Sequence, residues 1–495
     1  MSSKRQILKI LFCVFLLLLS VCLSLTASAD EKEPSKSAFE ITQSCVITLN
    51  EKRIPEALTD NQEQTYIKYK EPVRITVRSP EPIGGIYLKF DRTPPEWMLI
   101  HKEDRTACGQ YGFLHEYQPI EEDDITEVSL IFEETVSICD FFVLSKGEKL
   151  PDFVQVWRPA KGKCDIMLLS THSDDDQLFF AGTVPDAVSR GAEMQVCYFT
   201  NHWNTHTRPH ELLNGLWTCG LDRYPVVSPF RDSMRVDSEA AGLAVFEAQG
   251  VDYADMVQMQ VELLRKFKPQ IVLVHDVDGE YGHGAHILNS HSLRDALPLA
   301  SDATKYPESA EKYGVWDPLR DPLKVYIHLY DSKKAKKHKL DAPLNTIDFE
   351  IDVPLEFFGG RTAYQVSQDA FRCHISQFKS RYRIWLLGTD DKPVTKASQF
   401  PQYNPRYYGL YYSTVGKDKI KTDFYENIVL LKDQKPGIFP SSSAVPSDVS
   451  GYSPHPTVFH AIIAVIFLCI LTGTVVLILR TRRKRMVQRN PKTEK

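Results

Sequence analysis

Hydrophobic residues recur in two different patterns along the chain, and the change between the patterns lies near residue 160. Before it, short apolar runs alternate with clusters of Pro, Gly, Asp and Asn. Five or more short strands at this spacing predict an antiparallel β-sandwich, here over residues 38–157. The predicted strands are Cys45–Leu49, Val73–Val77, Gly85–Phe90, Thr126–Phe132 and Cys139–Leu144.

After residue 160 the pattern becomes typical of an α/β sheet. Cys164–Thr171 is a nearly continuous apolar run, as expected of a parallel strand that is covered on both faces. Predicted helices and strands then alternate, which indicates a doubly wound, mostly parallel, Rossmann-like α/β domain over residues 161–433. The predicted helices are Gln177–Arg190, Arg208–Cys219, Glu239–Lys268, one from about Ala285, and Ala363–Phe378. The further strands are Ala192–Thr200, Gln270–Asp276, Val325–Leu329 and Arg383–Leu387.

Long apolar segments at both ends of the chain predict where the protein is located in the cell. Residues 1–29 contain a short basic region, an apolar core and Ala27-Ser28-Ala29, the form of a cleaved signal peptide. Val458–Leu479 contains no Asp, Glu, Lys or Arg and precedes a basic segment, so we expect a single transmembrane helix. Residues 434–457 would be a Pro/Ser-rich stalk and residues 480–495 a basic cytoplasmic tail. The α/β domain is then expected outside the cytoplasm, at the cell membrane.

Composition and charge exclude several classes of protein. Apolar residues make up 43% of the chain and charged residues 25%, as in globular proteins. The net charge is −5, and because both end segments are basic, the region between them is strongly acidic. An acidic domain repels polyanions, so no nucleic acid is expected as a partner. The cysteines of this region are odd in number and widely spaced, which does not favour a disulfide scaffold.

The first candidate for chemistry follows the first predicted parallel strand. It reads His172-Ser173-Asp174-Asp175-Asp176 and lies at the carboxyl end of the strand, where open α/β sheets bind ligands. His172 and Asp175 are three residues apart at a strand-to-helix turn, so they can converge on one metal ion. Asp174 would then be free to face a water molecule on the metal. The alternative is that three adjacent aspartates form a solvated loop or the start of a helix.

A second candidate follows the strand Gln270–His275 at the same kind of edge. His283 and His286 are also three residues apart there, and nearby glycines allow the backbone to turn tightly beside a ligand. Two histidines with one carboxylate form a ligand set that zinc accepts, with a position left for water. Calcium agrees less well with the sequence, since the spaced acidic ligands of an EF-hand are absent. The other histidines carry no motif, and His275 is expected to pack or to form a hydrogen bond.

At these two motifs the sequence resembles the LmbE-like, or PIG-L, family of zinc-dependent de-N-acetylases. The first motif of that family, A-H-P-D-D-E, corresponds to Thr171–Asp176, and the second, Y-G-H-P-D-H, corresponds to Tyr281–His286. Arg208 and Glu211 resemble the R-x-x-E helix between the motifs. The resemblance covers roughly Lys163 to Val325. The family includes deacetylases of N-acetylglucosaminyl-phosphatidylinositol and of the mycothiol precursor.

The resemblance implies a role for each matching residue. Three of them would bind Zn²⁺, or another divalent metal in the same site: His172, Asp175 and His286. The others would be a general base, Asp174; two groups that stabilise the tetrahedral intermediate, His283 and Tyr281; and a substrate-binding residue, Arg208. His283 would also be placed to protonate the amine. The implied activity removes the N-acetyl group from an N-acetylated sugar in a glycan or glycolipid, by means of a water molecule that Asp174 activates.

The sequence departs from the family motifs at Ser173, at Asp176 and at the pair Gly284-Ala285. The carboxylate lost at Ala285 would be an outer partner of the metal site, and its loss favours an alternative function. In that alternative the protein is a catalytically weak or inactive family member that acts as a membrane-anchored glycan-binding surface protein. A third alternative is hydrolysis of another amide or of an ester. Two aspartates are candidates to replace the lost carboxylate, Asp276 and Asp278.

Three stretches of the predicted sandwich resemble discoidin-type carbohydrate-binding modules. They are Ala57–Asp60, Thr65-Tyr66 and Gly85–Leu88. That resemblance implies an accessory domain that binds glycans, and the alternative is a structural domain without a ligand. The sequence leaves the oligomeric state open.

Overall fold

Between residues 46 and 145, the computed structural model contains ten strands in two antiparallel sheets. The strands are β1 (Val46–Leu49), β2 (Lys52–Arg53), β3 (Ile67–Tyr69), β4 (Val73–Arg78), β5 (Ile83–Phe90), β6 (Trp97–His101), β7 (Asp104–Cys108), β8 (His115–Pro119), β9 (Glu127–Phe132) and β10 (Val136–Ser145). One sheet has the order β2-β1-β4-β9-β6-β7 and the other the order β3-β10-β5-β8. The structure describes residues 37–232, 236–329, 332–338, 346–378 and 381–434.

The two sheets share one apolar core because their strands turn every second side chain inward. In β4, Val73, Ile75 and Val77 are buried, and the residues between them are more exposed. The rings of Phe90 in β5 and Phe132 in β9 meet edge to face across the sheets, with centroids 6.2 Å apart. Strand β10 is buried along its whole length, because its other face contacts the α/β part of the chain.

Residues 166–413 contribute seven strands to a mixed sheet and two strands to a small hairpin. The strands are β11 (Ile166–Ser170), β12 (Met194–Tyr198), β13 (Val226–Val227), β14 (Ile271–Val274), β15 (Lys324–His328), β16 (Thr346–Asp348), β17 (Gly388–Thr389), β18 (Lys392–Pro393) and β19 (Tyr407–Ser413). The order of the large sheet is β13-β12-β11-β14-β15-β19-β16. Strands β11 to β15 are parallel to one another, and β19 runs antiparallel to both of its neighbours.

Ten α-helices lie in the described part of the α/β region. They are α1 (Asp175–Leu178), α2 (Thr183–Ser189), α3 (Arg208–Thr218), α4 (Glu239–Glu247), α5 (Tyr253–Phe267), α6 (Gly284–Ala296), α7 (Pro307–Tyr313), α8 (Ser332–Lys337), α9 (Ala363–Phe371) and α10 (Arg381–Leu387). Helix α5 shows why such segments form. Asp252 and Asp255 make a reciprocal capping box at its start, and Val257, Val261 and Leu264 form a buried stripe against the sheet.

Two predictions of local structure are wrong. The segment Arg383–Leu387, predicted as a strand, lies in helix α10. A short apolar run does not by itself distinguish a strand from one turn of a buried helix. The segment Gln177–Arg190, predicted as one helix, is divided into α1 and α2 by Gly182, whose φ of +86° lies in the left-handed region. A Cβ at Gly182 would also lie 2.5 Å from Ile351, so the break requires glycine.

The predicted fold class also included a single transmembrane helix, and this part of the prediction is corrected. Within the described ranges, no helix is both long enough and apolar enough to cross a membrane. The segment Val458–Leu479, on which the prediction depended, lies outside the described residues, as do the predicted signal peptide at residues 1–29, nearly all of the stalk and the basic tail.

Helix α3 joins the α/β part to the β-sandwich through buried polar contacts. His210 Nδ1 lies 2.8 Å from His115 Nε2 of β8, and the two rings stack with centroids 5.0 Å apart. One turn further on, Asn214 donates to the carboxylate of Glu63, which also binds Lys89 at 2.7 Å. Burial lowers the pKa of His210 to about 4 and that of His115 well below its ordinary value. Both imidazoles are therefore neutral at pH 7.

The parallel neighbours β11 and β14 bring the two sequence motifs to one edge of the large sheet. Strand β11 ends two residues before His172, and β14 ends at Val274, from which a loop leads to His283 at the start of α6. Carboxyl ends of adjacent parallel strands open on the same crevice. This register positions the candidate site.

Candidate active site

The side chains of His172, Asp175 and His286 meet at the carboxyl edge of β11 and β14. His172 Nδ1 lies 2.9 Å from Asp175 Oδ2 and 3.1 Å from His286 Nε2. The distance from His286 Nε2 to Asp175 Oδ2 is 3.2 Å. We call these three atoms the donor triangle. All three residues are buried, and two of them, His172 and His286, are 114 residues apart in the chain.

The turn after β11 fixes the carboxylate of Asp175. Its Oδ2 also accepts the backbone N–H of His172 at 2.8 Å, and Asp175 lies at the start of α1, where a negative charge is favourable. Burial raises the pKa of Asp175, but the charges of His286 and His172 lower it well below its ordinary value. The carboxylate is therefore ionised at neutral pH, as a metal ligand must be.

Glu280 is fully buried and accepts hydrogen bonds from three histidines. Its Oε2 accepts from Nδ1 of His275 at 2.6 Å and from Nδ1 of His286 at 2.7 Å. Its Oε1 accepts from Nδ1 of His328 at 2.5 Å. Burial raises the pKa of Glu280, but His275 and these hydrogen bonds lower it well below its ordinary value. Because Nδ1 of His286 donates to Glu280, Nε2 is the nitrogen that would bind a metal ion in the donor triangle.

Asp232 orients His172 in a similar way. His172 Nε2 lies 3.4 Å from Asp232 Oδ1, on the side of the ring away from the donor triangle. Asp232 Oδ2 lies 3.1 Å from Nδ1 of His202. Burial raises the pKa of Asp232, but the charge of His172 lowers it below its ordinary value. Because Nε2 of His172 faces this carboxylate, Nδ1 is the nitrogen that would bind a metal ion in the donor triangle.

His275 lies beside the donor triangle but has both ring nitrogens occupied. Its ring centroid is 4.1 Å from that of His286. Nδ1 donates to Glu280, and Nε2 accepts the backbone N–H of Thr171 at 3.0 Å. His275 therefore supports the site and is not a fourth donor, in line with the sequence expectation that it forms a hydrogen bond.

The turn between β14 and α6 has an unusual backbone. Gly279, Tyr281 and Gly282 all have positive φ, and the value of +46° for Tyr281 is uncommon in a residue with a side chain. A Cβ at Gly279 would lie 2.8 Å from the carbonyl oxygen of His283, so the turn closes tightly there. This conformation turns Glu280 inward. It also puts the Tyr281 ring 5.6 Å from the rings of both His283 and His286, measured between centroids.

His283 is the N-cap of helix α6. Its Nδ1 accepts the backbone N–H of Ala285 at 3.2 Å, so in the neutral ring the proton lies on Nε2. Burial, and then the charge of His286, lower the pKa of His283 to about 2. The ring is 4.7 Å from that of His286 and 4.8 Å from that of His172, between centroids. His283 therefore offers a neutral N–H donor beside the donor triangle.

Asp174, the predicted general base, is held by Arg208 of helix α3. Arg208 Nη2 donates to Asp174 Oδ1 at 2.7 Å, and its Nε donates to Ser173 Oγ at 3.1 Å. Asp174 is buried. Glu211, the last residue of the predicted R-x-x-E pair, instead accepts hydrogen bonds from the backbone and hydroxyl of Ser376. Arg208 thus contacts the base directly, which the sequence motif alone did not indicate.

The structure accounts for the two departures in the second motif. A Cβ on Gly284 would lie 2.3 Å from the backbone oxygen of Ser238, so the approach of α6 to the start of α4 requires glycine. Ala285 is buried in an apolar cluster that includes the rings of three phenylalanines. A carboxylate at that position would be buried without a partner, and Glu280 supplies a carboxylate to His286 instead.

The two aspartates proposed as replacements contact other residues. Asp276 Oδ1 lies 2.9 Å from Nε2 of His338, and Asp278 Oδ2 lies 3.1 Å from Nζ of Lys334 in α8. Neither of these contacts involves the donor triangle. The outer carboxylate of the site is therefore Glu280, not Asp276 or Asp278.

The donor triangle fits a divalent metal ion. Zinc–ligand bonds of about 2.0–2.1 Å place the ligand atoms of a tetrahedral site roughly 3.3 Å apart, and the three separations in the triangle are within a few tenths of an ångström of that value. A carboxylate holds the outer nitrogen of each imidazole, so the inner nitrogen is the one that would bind the metal. Two imidazoles and one carboxylate suit zinc and several other divalent metals.

Sequence reasoning missed Glu280, Asp232 and His328. Each lies at, or a few residues beyond, the carboxyl end of a strand in the large sheet: β14, β13 and β15 respectively. The signal that could have found them is a polar residue directly after a buried strand whose neighbours carry the motifs.

Comparison with known proteins finds a family that resembles the part of the chain containing the candidate site. Residues 167–297 match the family model of PIG-L, the GlcNAc-PI de-N-acetylases. A curated relative from Saccharopolyspora erythraea, 1D-myo-inositol 2-acetamido-2-deoxy-alpha-D-glucopyranoside deacetylase 2, is 36% identical over 86 residues, which cover 17% of this chain and 31% of the relative. The corresponding deacetylase from Rhodococcus jostii is 27% identical over 173 residues, which cover 30% of this chain and 58% of the relative. The chain thus spans less than two thirds of either relative.

Among solved structures, N,N'-diacetylchitobiose deacetylase from Pyrococcus horikoshii matches 50% of this chain and 84% of its own, with a TM-score of 0.31 and 12% sequence identity. The sheet and the donor triangle define an α/β protein with a candidate metal site at the carboxyl edge of its parallel strands. Residues 167–297 of the α/β region are thus similar to the PIG-L, or LmbE-like, family of de-N-acetylases. The family predicted from the two motifs is confirmed.

Proposed function

We propose that this protein is a metal-dependent hydrolase that removes the N-acetyl group from an N-acetylated sugar. The observation that carries the proposal is the donor triangle, with the carboxylate of Asp174 and the N–H of His283 close to it. The matching family and the curated relatives are named for de-N-acetylation of amino sugars. Their names support the reaction and the class of substrate.

We propose Zn²⁺ as the metal, because two imidazoles and one carboxylate leave a position for water in a zinc site. A bound Zn²⁺ would supply a Lewis acid that polarises the amide carbonyl and lowers the pKa of water to about 7. Glu280 and Asp232 contribute to metal binding by keeping the imidazoles of His286 and His172 turned toward the donor triangle.

Asp174 is the general base in this proposal. Arg208 binds its Oδ1, which fixes the orientation of the carboxylate, so we assign Oδ2 to accept a proton from the attacking water. The water oxygen then forms a bond to the amide carbon. Arg208, predicted to hold the substrate, orients the base and lines the space next to it.

His283 and Tyr281 stabilise the negative charge that develops on the carbonyl oxygen. Nδ1 of His283 is occupied by the backbone of Ala285, so its Nε2–H is the group that donates. Burial raises the pKa of Tyr281, so its hydroxyl stays protonated and is a second donor. When the C–N bond breaks, the proton on Asp174 passes to the leaving amine, and acetate and the free amino sugar are released.

The alternative of a glycan-binding protein without turnover depended on the carboxylate missing at Ala285. Because Glu280 supplies a carboxylate to His286, that observation no longer favours the alternative. The location outside the cytoplasm stays a prediction, since it depends on residues 1–29, which are not among the described residues.

The test is acetate release by the purified full chain from a panel of N-acetylglucosamine-containing substrates, together with metal analysis. We expect zinc-dependent release that a chelator abolishes and added zinc restores. Asp174→Asn should retain metal and fold and lower kcat by about 10²–10⁴-fold, because it removes the base.

The matched control is Asp278→Asn, an aspartate on the same sheet edge that binds Lys334. It should leave kcat unchanged. Metal-loaded, folded protein that releases no acetate across the panel would contradict the proposal, and so would full activity in Asp174→Asn.

A further inference from the structure

A cavity of about 170 Å³ lies next to Ser173 and Arg208, between the α/β part of the chain and the β-sandwich. Ser173 and Arg208, which adjoin Asp174 in the chain or bind it, form part of the wall. Thr93 and Leu114 of the sandwich form another part. The cavity therefore adjoins two neighbours of Asp174 and depends on both folded parts of the chain.

Most of the remaining wall is apolar. It is formed by the side chains of Trp203, Pro209, Leu212, Leu213, Pro225 and Val227. The volume is close to the ~150 Å³ of an apolar protein cavity that binds benzene. A group of about six carbons therefore fits the cavity.

The polar side chains in the wall already have partners within the protein. The side chains of Thr200 and Asn201 donate to backbone carbonyl oxygens at 2.9 and 3.2 Å. The hydroxyl of Tyr224 accepts the backbone N–H of Leu114 at 3.1 Å. The donors of Thr200 and Asn201 are thus engaged, and Tyr224 keeps its O–H.

The polar groups nearest the candidate site also have partners within the protein. His202 Nε2 accepts the backbone N–H of Ser173 at 3.2 Å, and its Nδ1 faces Asp232 at 3.1 Å. Arg208 binds both Asp174 and Ser173. Because most of the wall is apolar, a sugar ring in the cavity would leave several of its hydroxyl groups without hydrogen-bond partners, which is unfavourable. An alkyl group loses no hydrogen bond there and removes apolar surface from water.

We propose that this cavity binds an alkyl group of the substrate, about six carbons long, next to the amide that is hydrolysed. The inference rests on the proposed function, because it takes Asp174 to mark the reacting end of the substrate. An acylated amino sugar has two sources of such a group: an N-acyl chain longer than acetyl, or the alkyl part of a lipid-like aglycone. In either case the β-sandwich takes part in substrate binding through Thr93 and Leu114.

Two substrate series test the proposal and distinguish the sources. One is glucosamine with N-acetyl, N-butyryl, N-hexanoyl and N-octanoyl groups, and the other is N-acetylglucosamine with methyl, butyl, hexyl and octyl aglycones. Each buried methylene should raise kcat/KM by up to about fourfold. We expect kcat/KM to rise by at least about tenfold along one series, up to about six carbons, and to level off beyond that length.

A variant that fills the cavity provides a second test of the proposal. Thr93 is exposed at the cavity wall, so Thr93→Trp is expected to fold and to occupy part of the space. The ratio of kcat/KM between the hexanoyl or hexyl substrate and its one- or two-carbon counterpart should fall by about tenfold. The matched control is Thr106→Trp, at an exposed threonine of β7 that does not line the cavity. It should leave that ratio unchanged.

The same ligands can be studied without turnover. Calorimetric binding of N-hexanoylglucosamine and of hexyl N-acetylglucosaminide to Asp174→Asn should be tighter than binding of the short-chain compounds. Acetate release without any dependence on chain length, or a chain-length dependence that Thr93→Trp does not change, overturns this inference and leaves the proposed function intact. Chain-length-dependent binding with no release of any acyl group would support the cavity and overturn the proposed function.

Discussion

The carboxylate of Glu280 accepts a hydrogen bond from Nδ1 of His286 at 2.7 Å and thereby supplies the acidic partner that Ala285 cannot. The two residues are six positions apart, on either side of a turn whose backbone has three residues with positive φ. The same carboxylate binds His275 after β14 and His328 at the end of β15. The orientation of a candidate metal ligand thus depends on two neighbouring strands and on a strained turn.

Replacement of this carboxylate should weaken metal binding. In Glu280→Gln the acceptor for Nδ1 of His286 is a neutral amide, so the imidazole is a weaker and less well oriented ligand. We expect the zinc dissociation constant to rise by about 10–100-fold, as measured by competition with a chromogenic chelator. Circular dichroism checks the fold, and Asp278→Asn is the control. An unchanged zinc affinity in a folded Glu280→Gln protein would show that Glu280 is not the outer partner of the metal.

His283→Asn separates the cap of helix α6 from the candidate oxyanion donor. Asparagine is a favoured N-cap residue, so the start of the helix should be preserved while the Nε2–H is lost. We expect kcat to fall by about 10²–10³-fold with metal content unchanged, measured by acetate release and metal analysis. If instead metal content falls in parallel with kcat, His283 acts as a ligand and not as a hydrogen-bond donor.

Ala285→Asp restores the family motif in the sequence but should destabilise this protein. The new carboxylate would be buried among apolar side chains, and the free energy of unfolding should fall by about 2 kcal/mol in urea titrations at pH 7. Ala244→Asp, on the exposed face of α4, is the control and should cost less than about 1 kcal/mol. A variant as stable as wild type would mean that the apolar cluster admits a carboxylate.

Stability should decrease as the pH falls from 7.5 to 5.0. The unfolded pKa of histidine is about 6.5, whereas burial lowers the pKa of His210 to about 4 in the folded protein. As the pH falls through this window the unfolded chain takes up a proton that the folded chain does not, so the free energy of unfolding decreases. At pH 5 the contribution of His210 is about 2 kcal/mol.

Urea unfolding at pH 7.5 and pH 5.0 checks this expectation. His210→Gln should reduce the difference between the two pH values by about 2 kcal/mol. Equal pH dependence in wild type and His210→Gln would contradict the assignment of a neutral buried imidazole.

The proximity of His172, Asp175 and His286 is predictable from sequence because their motifs follow two buried strands. Carboxyl ends of parallel neighbours coincide in space, so residues at those ends meet whatever their separation in the chain. Glu280 and Asp232 are not predictable in this way. Their positions depend on the conformation of loops, and in particular on the left-handed Tyr281, which no local residue preference indicates.

The position of a strand is predictable from sequence where every residue of the strand is buried. The run Cys164–Thr171 contains β11, because a strand covered on both faces is apolar at every position. The segment Arg383–Leu387 has the same apolar character, yet it forms helix α10, in which only Leu386 is fully buried. Its conformation depends on contacts made at a distance in the sequence, so the local composition does not determine it.

Helix α3 makes contacts of two kinds within one turn: Arg208 binds Asp174, and His210 contacts His115 of the sandwich. A truncated protein beginning near residue 160 would lose His115, Glu63 and Lys89 together. It would expose to solvent the imidazole of His210 and the apolar wall of the cavity next to Ser173 and Arg208. Removal of the β-sandwich is therefore expected to inactivate what remains, so libraries for directed evolution should keep both parts of the chain and vary the contacts between them.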